Sequence, residues 1–210
     1  VDRSNLQRQI IHGTADIGRS KVRSAAARVK DINPHVETVL YEERAEAENL
    51  MEILSKYDFI IDAVDSFASK FLINDACVLA KKPFCHGGIR EFQGQVMTYV
   101  PGCGPCYRCI FEEIPADGQI DSCSQAGVLG TMPGIIGSLQ ALEAQKYLLG
   151  TGDLLTGAML VFDGFSMEFR KVKFSKASPS CRVCGEKADI KTLEKSEYEV
   201  AAACQWKGKQ

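Results

Sequence analysis

Asp58-Phe59-Ile60-Ile61-Asp62-Ala63-Val64-Asp65-Ser66 is the stretch that decides the fold. Phe59 to Val64 forms an apolar run bounded by Asp58 and Asp65, the pattern of a strand buried in a parallel sheet. Ser66 is placed to cap a helix over about 68–81. Pro83 to His86 then reads as the next short strand, ending at Gly87-Gly88. Upstream, Val22, Ala25, Ala26, Val29 and Ile32 recur at three- and four-residue steps, which predicts a helix. Asn33-Pro34 stops it. Val36 to Tyr41 reads as a strand and Ala45 to Lys56 as a short helix. Strands and helices alternating in this way predict an α/β fold: a Rossmann-like, mostly parallel sheet with helices on both faces.

After Gly88 the rhythm changes. Gln95 to Val100 reads as a strand, residues 112 to 127 as an irregular connection, and Ile135 to Leu149 as a strong helix ended by Gly150 and Gly152. Met159 to Phe162 and Met167 to Phe174 read as two strands, possible partners in a hairpin around Asp163-Gly164, which adds a smaller antiparallel part.

At 210 residues and 45% hydrophobic, the chain is long enough to bury a substantial core. Its net charge of −2, with both signs interspersed, argues against a nucleic-acid partner. No run of about 18 apolar residues suggests a membrane span. Nine cysteines, an odd number, fit a reducing compartment, and the expected location is cytoplasmic.

Cys106-Tyr107-Arg108-Cys109 and Cys181-Arg182-Val183-Cys184 are two Cys-x-x-Cys pairs far apart in the chain. Four thiolates in two clipped pairs suit one tetrahedral Zn²⁺ with no open position, a structural site. The bland alternative is two unrelated thiol motifs or a redox pair. Ser4 to Gln9, SNLQRQ, is followed by a segment ending at Lys21. Arg8 and Lys21, one forked cation and one point charge, suit a polyphosphate, and Asn5 and Gln9 add amide donors. Solvated surface is the competing reading. Asp65 sits at the carboxyl end of a predicted central strand, where α/β sheets bind ligands, and could hold Mg²⁺ beside phosphates or cap a helix.

Together, SNLQRQIIHGTADIGRSK, INPHV, DAVDS, GGIREFQGQV, PCYRC, AGVLGTMPGIIGSLQALEAQKYLLG and CRVCG resemble the ThiF/MoeB/HesA family of ubiquitin-activating-like adenylyltransferases. The resemblance covers residues 3 to about 186, so 1–186 is expected to be the adenylation domain and 187–210 a C-terminal tail. It implies ATP-dependent adenylation of the C-terminal glycine of a ubiquitin-like sulfur carrier ending in Gly-Gly, a sulfur donor protein, and a homodimer. It further implies nucleotide roles for Asn5, Arg8, Gln9 and Lys21, Mg²⁺ at Asp65, and zinc at Cys106, Cys109, Cys181 and Cys184. Cys123, in the crossover before AGVLG, is a candidate thiol for a covalent link to the carrier; a bland loop thiol is equally compatible with the sequence.

One departure stands out. None of the 18 glycines forms the Gly-x-Gly-x-x-Gly phosphate loop that this family places ahead of SNLQRQ. The chain therefore reads as N-terminally incomplete, and 210 residues alone are expected to be unstable and to bind ATP weakly. A zinc-stapled module that docks a ubiquitin-like partner without ATP is the alternative reading. A dinucleotide oxidoreductase on a similar sheet is weaker, because it leaves Arg8, Lys21 and the Cys pairs without a role.

Overall fold

The computed structural model describes residues 1–116, 127–174 and 176–199. The first twenty residues fold as tight turns, including single 3₁₀ turns at Arg3–Asn5 and Thr14–Asp16. Helix α1 follows at Lys21–Ile32 and ends at Asn33, as Asn33-Pro34 requires. Helix α2 is Leu50–Ser55, shorter than the sequence suggests. Strand β1, Ile60–Asp62, leads into α3, Phe67–Leu79, whose N-cap is Ser66: its hydroxyl accepts the Ser69 N–H at 3.1 Å. Strands β2, Phe84–Arg90, and β3, Gln93–Tyr99, form a hairpin. The one-turn helix α4, Tyr107–Ile110, has Cys106 as its N-cap and carries Cys109, and α5 spans Thr131–Leu149. Strands β4, Ala158–Asp163, and β5, Glu168–Lys173, form a second hairpin.

The five strands lie in chain order across one sheet. The α/β class holds, but among the described strands parallel pairing is confined to β1 with β2, with one isolated parallel bridge between Glu91 and Val128. β2–β3, β3–β4 and β4–β5 pair antiparallel, two of them because short turns join consecutive strands. Val36 to Tyr41 does not form the expected strand. A strand exists only by pairing, and no neighbouring ladder reaches this segment among the described residues; Val36, Val39 and Leu40 stay exposed.

Alternation along β2 and β3 sorts side chains between two faces. Phe84, Met97 and Tyr99 join Phe71, Leu72 and Ala76 of α3 in the larger core, together with Tyr107 and Met159. Cys85 and Val96 point the other way and pack with Ile136 of α5. Residues 187–199 lie against the larger core, where Ile190 is buried and its N–H donates to the Arg182 carbonyl at 2.9 Å.

Candidate active site and metal centre

The SNLQRQ segment is shaped by its own polar groups. The Asn5 side-chain carbonyl accepts the Asp2 N–H at 3.2 Å, and the Asn5 main-chain carbonyl accepts from Arg8 and Gln9 at 3.1 and 2.9 Å. Asn5 is buried and Arg8 half-buried, with Arg8 Nη1 donating to the Ser4 carbonyl at 3.0 Å. Gln9 Oε1 is buried without a partner among the described residues. Lys21 opens α1 and is exposed. The turn leans on the start of α5: Gln7 Nε2 donates to the Val128 carbonyl at 3.3 Å, and a Cβ at Gly130 would collide with the Gln7 backbone. Glu91, in the β2–β3 turn, donates its N–H to the Gly127 carbonyl at 3.3 Å. Three segments distant in sequence thus meet at one edge.

Asp65 immediately precedes the helix cap Ser66, three residues past the carboxyl end of β1, and is exposed. Ser66, not Asp65, caps α3, so the competing role for the carboxylate is already filled. Among the described residues no hydrogen bond or ion pair joins Asp65 to Arg8 or Lys21.

Beneath Asp65 lies a buried polar chain that the sequence reading missed. His86 Nδ1 is 2.8 Å from Asp62 Oδ2, and Gln95 Nε2 is 3.2 Å from His86 Nε2. Lys70 Nζ donates to the Gly87 carbonyl at 2.7 Å and lies 3.3 Å from Asp62 Oδ2. Asp62 Oδ1 accepts the Val64 N–H at 3.2 Å, and Gln140 Nε2 of α5 donates to the Asp62 and Cys85 carbonyls at 2.7 and 3.1 Å. Burial opposes charge on Asp62 most strongly, yet the His86 hydrogen bond and the Lys70 ammonium hold its carboxyl below the ordinary range. Burial pushes the His86 imidazole below its ordinary range, against the pull of Asp62. The pair is therefore a carboxylate and a neutral imidazole donating from Nδ1. Asp62 inside an otherwise apolar run was the available signal.

The four predicted metal ligands come together. The sulfurs of Cys106, Cys109, Cys181 and Cys184 all lie within 4.8 Å of one another and could hold one metal ion. Cys106 Sγ is 3.8, 3.6 and 3.5 Å from those of Cys109, Cys181 and Cys184, and Cys109 is 3.3 Å from Cys184. The Ser178 N–H donates to Cys109 Sγ at 3.3 Å. Each pair encloses an arginine. Arg108 forks onto the buried Asp75 of α3 at 3.0 and 2.6 Å, and Asp75 also accepts the Tyr198 hydroxyl at 3.0 Å. Arg182 contacts Asp189 at 2.8 Å and Glu197 at 2.9 Å. Cys123 lies outside the described residues. No helix among the described residues is long and apolar enough to cross a membrane.

The described residues thus form a mixed α/β sheet domain that carries a four-cysteine cluster and a cation-bearing turn leaning on the start of a long helix. The ThiF family model matches residues 1–183, and the chain belongs to that family. It is 42% identical over 203 residues to the SAMP-activating enzyme E1 of Haloferax volcanii, covering 97% of this chain and 74% of that protein. It is 39% identical over 199 residues to the adenylyltransferase and sulfurtransferase MOCS3 of Mus musculus, covering 95% of this chain but 43% of that protein. The chain thus spans less than half the length of its MOCS3 relatives. Among solved structures, E. coli MccB with ATP superposes with a TM-score of 0.72 at 19% identity, over 88% of this chain and 56% of that one, a likeness of fold alone.

Proposed function

We propose that this chain, within its protein, binds Mg²⁺·ATP and adenylates the C-terminal glycine of a ubiquitin-like sulfur carrier ending in Gly-Gly. The observation that carries the reading is the match to the SAMP-activating enzyme E1 along 97% of the chain. The carrier carboxylate is already a nucleophile at neutral pH, so it needs no general base. Its oxygen attacks the α-phosphorus and pyrophosphate leaves. Such a transfer needs positioning and charge stabilisation above all. Arg8 and Lys21 would bring positive charge to the phosphates, with Asn5 and Gln9 as amide donors. Asp65 is the residue that would hold Mg²⁺, whose charge would offset that of the phosphates. Its carboxylate carries no bond to another described residue and stands beyond the end of β1, as such a role requires.

Zinc fits the cysteine cluster. A tetrahedron with Zn–S bonds of about 2.3 Å has edges of about 3.8 Å. Four of the six sulfur separations, 3.3 to 3.8 Å, sit close to that, and all six lie within 4.8 Å. All-thiolate ligation favours a soft or borderline ion. The site would be closed and structural. The protein would act as a homodimer in the cytoplasm, with 1–186 as the adenylation unit, and a separate sulfur donor would follow. Cys123 would serve only a later sulfur-transfer step.

Carrier-dependent exchange of radiolabelled pyrophosphate into ATP tests this. Asp65→Ala is expected to lower exchange about 100-fold or more. Exchange at the unsubstituted rate in that variant would remove Asp65 from its role. A protein that captures the carrier but shows no exchange would instead be a docking module.

A further inference from the structure

The polar chain under Asp65 calls for an explanation, because a charged pair in the interior is expensive. Removing an ion pair from water costs several kcal/mol, and apolar residues of similar volume often serve stability as well or better. Asp62 and Lys70 are 1% and 7% exposed, and His86 is fully buried. The surrounding backbone is also adapted to them. A Cβ at Gly87 would lie 2.5 Å from Gln140 Cδ, and one at Gly88 3.0 Å from Gln95 Nε2 and 3.2 Å from His86 Nε2. The two glycines let glutamine side chains lie over β2, one on each face.

The chain converges on one short turn. Asp62 Oδ1 holds the Val64 N–H, and Gln140 holds the Asp62 carbonyl. The neighbouring residue, Ser66, is fixed as the cap of α3. Asp65 lies between these two anchors. His86 in turn fixes Asp62 through Oδ2, leaving Oδ1 for the turn. Gln95 can donate to His86 Nε2, which puts the imidazole proton on Nδ1, toward Asp62.

We propose that Asp62, His86, Lys70 and Gln95 are positioning residues that set the 62–66 turn so that the Asp65 carboxylate is held out for a divalent cation. This rests on the assignment of Asp65 as the cation ligand. None of the four touches nucleotide in this scheme. Their effect passes through the turn.

The test uses hydrogen exchange of backbone amides and Mn²⁺·ATP binding followed by electron paramagnetic resonance. In His86→Leu, the Val64 and Asp65 amides are expected to exchange at least tenfold faster, with β3 and α5 unchanged. The Mn²⁺·ATP dissociation constant is expected to rise at least fivefold. His86→Asn, whose side-chain amide can donate to Asp62 in place of Nδ1, is expected to return both to within twofold of the unsubstituted protein. A folded His86→Leu with unchanged Mn²⁺ binding overturns the proposal, even if amide exchange quickens, because the network would then be merely structural. Should His86→Leu fail to fold, Gln95→Leu decides: a threefold or greater weakening of Mn²⁺·ATP supports the network and an unchanged constant overturns it. Asp65→Ala separates the two levels. Unchanged Mn²⁺·ATP binding in that variant overturns the Asp65 assignment and the network with it. Weakened binding there, beside unchanged binding in a folded His86→Leu, overturns the network alone.

Discussion

A methyl group added at Gly87 would meet the Gln140 amide at 2.5 Å, inside any tolerable contact. Gln140 cannot simply swing away, because its Nε2 serves two buried carbonyls. Gly87→Ala is therefore expected to destabilise the protein by about 1–3 kcal/mol, read from urea unfolding. His86 adds a pH dependence. Its folded-state affinity for a proton is below that of an exposed imidazole, so the unfolded chain binds the proton first on acidification. Stability from this group is complete above about pH 6.5 and declines as the pH falls below that value. Asp62, Lys70, Gln95 and the Tyr107 ring face the imidazole; of these only Asp62 titrates in acid, and its depressed range places its own loss at lower pH. The thermal midpoint of His86→Asn should accordingly fall less between pH 7 and pH 5 than that of the unsubstituted protein. Ser66 was legible in the sequence because a cap acts over three residues. The Asp62–His86 bond was not, because it joins adjacent strands 24 residues apart through a connection whose length says nothing about side-chain partners.

At the scale of elements, α1, α3 and α5 could be read from periodicity and their end signals, since each helix makes its own hydrogen bonds. Val36 to Tyr41 shows the limit of that reasoning. Its residues suit a strand, but strand formation is a property of a pair. The segment 187–199 shows a different limit. Nothing in its mixed, polar sequence announced that Ile190 would be buried or that Tyr198 would reach a buried aspartate on α3. Asp75 is shared by Arg108, Asn74 and Tyr198, so its charge is well matched. Tyr198→Phe removes one hydrogen bond to a charged group and should lower stability by about 1.5–3 kcal/mol. Asp75→Asn should cost more, about 3–5 kcal/mol, because it leaves the Arg108 guanidinium buried without its counter-ion. Urea midpoints of the two variants provide the ranking. Equal midpoints would mean that Tyr198 carries as much as the ion pair.

For the molecule as a whole, the cysteine cluster joins parts that neither hairpin holds. Cys106 caps α4 and Cys109 lies on it, between the two hairpins, while Cys181 and Cys184 follow β5, so metal ligation would close a loop of more than seventy residues. Metal ligation of this kind contributes roughly 10 kcal/mol of apparent binding free energy in small peptides. Cys106→Ser and Cys181→Ser should each abolish stoichiometric zinc, measured by plasma mass spectrometry on reduced protein, and lower the thermal midpoint. Metal content equal to the unsubstituted protein in either variant would remove that thiol from the ligand set. Cys123→Ala should leave pyrophosphate exchange unchanged, and a loss of exchange there would place the thiol in the adenylation step itself.

The arginine inside each cysteine pair has a consequence for how the protein would fail in a cell short of metal. Arg182 grips Asp189 and Glu197 from one knuckle, and Arg108 meets Tyr198 through Asp75 from the other. A knuckle without its ion would leave its arginine held by these carboxylates alone. Damage would start at the carboxyl-terminal end, with protease nicks between 187 and 199, while the α5 side of the sheet, which touches neither arginine, stayed whole. Zinc starvation would then leave a discrete, shortened species on a gel, and the abundance of that species would serve as a gauge of metal supply.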